Sequence, residues 1–246
     1  MILSVVEDSE LAENLLFSSS KLAAELDKPF GVLLFAKANN LNTDGLIKKP
    51  DFVKKADFQL GKLSDYCEEN EISFLILQLS CNKSSEIKKW LKACRELRIP
   101  YILFKNSFSV LQLEKVIVPV TFLEEEVEKA QFASAFGRFC HAEVILLQAK
   151  DYGSKAANNV ARMVELFKKF DFKYEVRKAL KDSFKVDNEA VILCESEDAG
   201  LLIVSASREY GLDDIIFGPR ELHIVKKSET PVLLVNPRGD LYALCD

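Results

Sequence analysis

The sequence predicts an α/β protein made of two consecutive halves, each with a parallel sheet between helices. Short apolar runs that do not alternate with polar residues, such as residues 2–6 and 201–206, are typical of strands buried on both faces. The order of strand, acidic helix start, helix and strand also occurs twice along the chain. Such a repeat indicates duplication of one structural unit.

The first half begins with strands at residues 2–6 and 32–36, separated by a helical pattern. The apolar positions of that helix are Leu11, Leu15, Leu22 and Leu26. Asp8 or Ser9 is the candidate N-cap. The remaining predicted elements are a helix over 51–70, a strand over 72–79, a helix over 84–97 and a strand over 101–104.

The second half begins with a strand at residues 116–120, and three glutamates at 124–126 open the next helix. Its apolar face runs through Val127, Ala130, Phe136 and Phe139. The remaining predicted elements are strands over 143–150, 173–179, 201–206 and 232–235, with helices over 156–170, 188–197 and 221–227. The first half has fewer predicted elements, so we expect it to be shortened.

The predicted domains are residues 1–110 and residues 111–246. The candidate junction, residues 107–114, is too short and too apolar for a flexible tether. We therefore expect the two halves to pair with each other.

Composition narrows the class of protein. The 246 residues carry 33 Lys and Arg against 38 Asp and Glu, a net charge of −5 that disfavours general nucleic-acid binding. No apolar run has the length of a membrane span, and the N-terminus lacks the pattern of a secretory signal. Six cysteines without a CxxC pair favour reduced thiols. We expect a cytoplasmic protein that does not cross a membrane.

Several segments of the second half resemble the universal stress protein family. Lys115-Val-Ile-Val-Pro-Val120 is similar to its first strand, Leu202-Ile-Val204 to its fourth and Pro231-Val-Leu-Leu-Val235 to its last, with Gly218 similar to its late glycine. The resemblance covers residues 115–238 and, more weakly, the first half. It implies two tandem Rossmann-like domains of the adenine nucleotide alpha hydrolase type, each with a mostly five-stranded parallel sheet. Family members commonly dimerise, so a homodimer remains open.

The nucleotide site implied by the resemblance is damaged in this sequence. Nucleotide-binding relatives have an aspartate after the first strand and a glycine-rich phosphate loop after the fourth, where exposed amides can approach an anion. Here Thr121 takes the aspartate position, and Ala206 and Glu209 take the first two glycine positions. Gly218 matches the third glycine, but Pro219 follows it and has no amide proton. We therefore expect no cofactor and disfavour ATP or AMP.

An alternative stays open, because Arg208 could pair with an anion. The chain would then be a sensing module for an adenine nucleotide or small anion, bound in a divergent cleft between the halves. The positions of the degenerate nucleotide site are Thr121, Ala206, Arg208 and Gly218. In the first half, Glu7 or Asp8 supplies a carboxylate near the end of the first strand, but residues 81–85 contain no glycine.

No catalytic constellation is visible in the sequence. His141 and His223 are the only histidines, and their separation gives no metal-ligand spacing. Walker A and GxSxG motifs are both missing. Cys81 and Cys194 are more typical of core residues than of reactive thiols.

A carboxylate cluster at Glu195, Glu197 and Asp198 is explained as an acidic, solvated helix end. The leading hypothesis is therefore a non-catalytic stress-response or regulatory protein without metal that acts through its surface on an unknown protein partner.

Overall fold

The computed structural model describes residues 1–35, 38, 41–207 and 219–238. The chain divides into two compact units, Met1–Leu111 and Gln112–Asp246. None of the helices within the described residues is both long and apolar enough to cross a membrane.

Unit one contains a five-stranded parallel sheet in the order β3-β2-β1-β4-β5. Its strands are β1 (Ile2–Val6), β2 (Phe30–Leu34), β3 (Phe52–Lys55), β4 (Phe74–Leu79) and β5 (Tyr101–Lys105). Its helices are α1 (Glu13–Glu25), α2 (Leu63–Glu69) and α3 (Ser84–Ala93). Four of the strands, β1, β2, β4 and β5, are buried at every position, which explains their mainly apolar sequences.

The helix predicted over residues 51–70 is wrong. The edge strand β3 comes first, followed by a 3-10 turn (Leu60–Lys62) and only then by α2. Tertiary contact overrides the local pattern here: the Phe52 ring lies against Gly31 on β2, where a Cβ atom would come within 2.4 Å of it. Unit one is nevertheless shorter, because the described residues 41–51 between β2 and β3 form no helix.

Unit two contains the same parallel arrangement, in the order β10-β9-β6-β7-β8. Its strands are β6 (Lys115–Val120), β7 (Glu143–Gln148), β8 (Tyr174–Lys178), β9 (Leu201–Ser205) and β10 (Val232–Val235). Its helices are α4 (Lys129–Phe139), α5 (Lys155–Phe167), α6 (Val186–Ser196) and α7 (Arg220–Lys227). Helix α5 stands between β7 and β8, where unit one has no described helix.

Two residues assigned to buried helix faces are exposed instead. Leu11 is 54% exposed because it lies in a 3-10 turn (Ser9–Leu11) before α1, which changes its phase relative to the helix. Phe139 is 48% exposed at the last position of α4, beside the guanidinium of Arg138. The prediction that Asp8 or Ser9 caps the first helix is wrong for α1, which follows Ala12 and has no side-chain cap. Asp8 instead caps the preceding 3-10 turn, where its carboxylate accepts from the amide of Glu10 at 3.0 Å.

Candidate functional site

Each sheet has one place where the direction of strand addition reverses. In unit two this switch point lies between β6 and β9, because β7 and β8 extend the sheet on one side of β6, and β9 and β10 on the other. The β6–β9 register covers Val116 and Ile117 only, whereas the β6–β7 register continues to Val120. Ligands of open α/β sheets bind at the carboxyl ends of strands at such a point.

The carboxylate of Glu126 fills the switch point of unit two. It belongs to the 3-10 turn (Glu124–Glu128) that follows β6 and is 2% exposed. Its Oε2 accepts from the amide of Thr121 at 3.0 Å, and it also accepts from the hydroxyl of Ser205 at the end of β9. The Glu126 carboxylate therefore accepts hydrogen bonds from residues at the ends of both β6 and β9. One of these donors is the backbone amide of Thr121.

Lys129 neutralises this carboxylate from the start of α4. Its Nζ donates to Oε2 of Glu126 at 2.8 Å and to the carbonyl of Pro119, and its side chain is 1% exposed. Burial acts to raise the pKa of Glu126, but Lys129, the Thr121 amide and the Ser205 hydroxyl outweigh it and lower that pKa below its ordinary value. Glu126 is therefore held in its charged form.

A second ion pair, with a buried acid and a partly exposed base, lies nearby at the beginnings of α6 and α7. Arg220 bonds Oδ2 of Asp187 at 2.5 Å and donates to the carbonyl of Ser183 at 3.2 Å. Burial raises the pKa of Asp187, partly offset by Arg220 and Lys129. Glu126 and Lys129 thus belong to a cluster of two acids and two bases, which lets the charges compensate one another in the interior.

Two of the four predicted site residues, Thr121 and Ala206, lie within the described residues, and both are buried. Thr121 is buried, and its carbonyl accepts from the Asn159 amide at 3.0 Å. Ala206 is also buried, and its amide donates to the carbonyl of Val235 at 2.9 Å. Arg208 and Gly218 lie outside the described residues. The backbone groups of the two described positions are therefore bonded within the protein.

Unit one repeats this arrangement with a neutral side chain. Its switch point lies between β1 and β4. Gln78, fully buried on β4, accepts from the amides of Glu7 and Asp8, both at 2.8 Å. Its Nε2 donates to the Asp8 carbonyl at 3.0 Å and to Asn106 at 2.9 Å. A single amide side chain thus uses the two backbone donors that follow β1.

The carboxylate predicted near β1 is engaged as well. Glu7 forms an ion pair with Lys89 of α3 at 2.9 Å and accepts from the hydroxyl of Ser80 at 3.2 Å. The sequence-based search missed Gln78 because it lies inside an apolar run. It missed Glu126 because that residue resembles an ordinary acidic helix start.

The cysteines and histidines considered in the sequence lie in two kinds of environment. Burial raises the pKa of the Cys194 thiol to about 12, which disfavours a reactive thiolate, and Cys81 is half-buried. His141 and His223 are both exposed. No group of His, Cys, Asp and Glu suited to a metal ion occurs in the part of the chain that the structure describes.

Glu195 and Asp198 are exposed, as expected of a solvated helix end, whereas Glu197 is partly buried and ion-paired. It bonds Lys115 at 2.7 Å and Arg177 at 2.5 Å, so it connects the end of α6 to β6 and β8. Hydrogen bonds from these two cations lower the pKa of Glu197 to about 2.

Comparison with solved structures identifies the fold. A universal stress protein from Archaeoglobus fulgidus DSM 4304 superimposes with a TM-score of 0.68 at 14% identity, over 97% of each chain. A provisionally assigned universal stress protein from Pseudomonas aeruginosa UCBPP-PA14 gives 0.66 at 13% identity, over 99% of this chain and 95% of that one. A functionally unknown protein from Pseudomonas aeruginosa PAO1 gives 0.63 at 14% identity, over 99% and 94%.

The predicted tandem Rossmann-like fold is confirmed by these matches, as is the resemblance to universal stress proteins at the level of the fold. No protein-family profile matches the sequence, and no curated protein matches it significantly.

Proposed function

We propose that the chain is a non-catalytic regulatory protein of the universal stress protein type that acts without binding ATP or AMP. The observation that carries the proposal is the Glu126 carboxylate, which accepts from the Thr121 amide at the switch point of unit two. A phosphate brought to this place would meet a buried carboxylate held in its charged form by Lys129. Gln78 supports the same conclusion in unit one, where it uses the amides of Glu7 and Asp8.

A role in the stress response, a cytoplasmic location and an unidentified protein partner belong to this proposal. The tandem fold supports them, since it matches universal stress proteins over nearly the whole chain. The lack of enzymatic activity is proposed from the internal engagement of the polar side chains at the two switch points.

Thermal unfolding with a panel of adenine nucleotides and inorganic phosphate tests the proposal. We expect no change in Tm with increasing ligand, with or without magnesium. A ligand present at about 100 times its Kd would add about 2.7 kcal/mol to the free energy of unfolding, a readily measured shift.

Arg208→Ala separates the proposal from the sensing alternative. Stabilisation of the natural protein by a nucleotide, lost in Arg208→Ala, would contradict the proposal and establish a divergent site. Lys168→Ala is the matched control, because Lys168 is an exposed base in unit two that lies away from the switch point, beyond the end of α5.

A further inference from the structure

Three loops at the carboxyl edge of the unit-two sheet are bonded into one platform. We call residues 122–123, 150–155 and 178–185 the loop platform; they follow or end β6, β7 and β8. The Lys150 amide donates to the Lys181 carbonyl at 2.8 Å, the Ser183 amide to Asp151 at 2.9 Å, and the Phe122 amide to the Ser183 hydroxyl at 3.0 Å. Ser183 thus links all three loops.

The loop platform presents large apolar side chains to solvent. Tyr152 is fully exposed, Leu180 is 79% exposed and Phe184 is 75% exposed. Phe184 packs edge-to-face on Phe122, with ring centroids 5.7 Å apart, a contact that favours one orientation of its ring. Exposed apolar groups gathered on a bonded backbone are typical of an interaction surface, because rigid anchors lose little entropy on binding.

The charge of the loop platform is opposite to that of the whole chain. Five exposed lysines stand against two aspartates and the adjoining Glu189, whose carboxylate accepts from the amides of Leu180 and Lys181, in a protein with a net charge of −5. Asp151 accepts from Ser183, and Asp182 accepts from the Phe184 amide at 3.1 Å. Within the described residues the five ammonium groups form no ion pair. These lysines are Lys150, Lys155, Lys178, Lys181 and Lys185.

We infer that the loop platform docks an acidic segment of a partner protein that carries apolar anchors. Carboxylates of such a segment would pair with the lysines, while its apolar side chains would cover Tyr152, Leu180 and Phe184. A nucleic acid fits less well, because the exposed Leu180 offers no stacking face for a base. The inference rests on the proposed function, in which the chain acts through its surface, and it names the surface that binds the partner.

A synthetic peptide that alternates Asp and Glu with Leu and Phe is a suitable probe. Its fluorescence anisotropy is measured with the full chain, beside a neutral peptide in which Asn and Gln replace the acids. We expect the acidic peptide to bind at least about tenfold more tightly than the neutral one, and binding to weaken when salt rises from about 50 to 300 mM.

Two double variants locate the binding. Lys155→Glu with Lys185→Glu reverses two charges at the starts of α5 and α6, where glutamate favours the helix. Tyr152→Ser with Leu180→Ser removes the two most exposed anchors. Each should weaken binding of the acidic peptide at least about tenfold, a loss of about 1.4 kcal/mol or more. Lys168→Glu with Ile192→Ser is the control, since it alters an exposed lysine and an exposed isoleucine outside the loop platform.

Equal affinity for the acidic and the neutral peptide would overturn the inference. So would an affinity of the platform variants for the acidic peptide that equals that of the natural protein. Tighter binding of a single-stranded RNA oligomer that depends on the same residues would assign the surface to nucleic acid instead. Self-association abolished by the platform variants, without peptide binding, would assign it to a second copy of the chain. Unchanged circular dichroism and Tm confirm that each variant folds.

A separate titration with ATP distinguishes failure of the proposed function from failure of this inference. Failure of the proposed function would appear as nucleotide binding while the acidic peptide still binds.

Discussion

Glu126 is the buried side chain at the switch point of unit two. It is the third of three consecutive glutamates, and its neighbour Glu124 is exposed while Glu126 is almost completely buried. Its carboxylate accepts a hydrogen bond from the Thr121 amide, and the ammonium group of Lys129 compensates its charge. The sequence identified the acidic run but not the burial of its third member, because burial here depends on Ser205 from a strand about 80 residues later.

Replacing Glu126 by Gln should destabilise the protein by about 3–5 kcal/mol, because Lys129 would remain buried without a counter-charge. Urea unfolding measures the change. Glu124→Gln, at an exposed position of the same turn, should stay within about 0.5 kcal/mol of the natural protein. Equal stabilities of the two variants would show that the buried pair does not act as described.

The Glu197 carboxylate should make stability depend on pH. Its pKa of about 2 lies below the unfolded value of about 4.3, so it stabilises the folded state above that value and loses this effect as pH falls toward 2. Glu197→Gln should therefore have a lower Tm than the natural protein at pH 7, and the difference should shrink below about pH 4.3.

Thermal unfolding between neutral and acidic pH measures that difference. Glu195→Gln is the control, because Glu195 is exposed and lies two residues away, near the end of the same helix. A Tm difference for Glu197→Gln that is the same at every pH would contradict the account.

At the scale of elements, the buried strands were predictable and the edge strand of unit one was not. Strands β1 and β4 are apolar apart from Ser4 and Gln78, so their burial can be inferred from residue type. Strand β3 has four residues, of which the last two are exposed lysines, and it has one described partner, β2. Its conformation depends on the fit of Phe52 over Gly31, a contact between residues about 20 positions apart that no local pattern reports.

The start of β9 depends on close backbone approach at Gly200. A Cβ atom there would come within 1.6 Å of the Gln112 carbonyl oxygen, and the Gly200 amide donates to the backbone carbonyl of Lys115 at 3.1 Å. Gly200→Ala should therefore destabilise the protein by at least about 1–3 kcal/mol through forced backbone movement. Gly61→Ala is the control, since nothing lies within 4 Å of its added Cβ. Similar unfolding midpoints in urea for these two variants would refute the close approach.

At the scale of the whole molecule, each unit has the fold expected from the sequence and a side chain at its switch point that was not expected. The repeated order of strands made the two sheets predictable, and the position of each switch point follows from the strand order. The occupants are different residue types, Gln78 in unit one and Glu126 in unit two. Neither residue belongs to a nucleotide-binding motif. Residue identity alone therefore could not reveal that both side chains accept hydrogen bonds from backbone amides that follow the first strand of their unit.

Native mass spectrometry of the purified protein, with and without magnesium and ATP, tests the central claim most directly, because it counts bound nucleotides per chain. The account predicts that the mass of the chain stays unchanged at ATP concentrations that saturate a nucleotide-binding universal stress protein used as positive control. One nucleotide retained per chain would contradict it, and would show that the side chains at a switch point give way to a ligand.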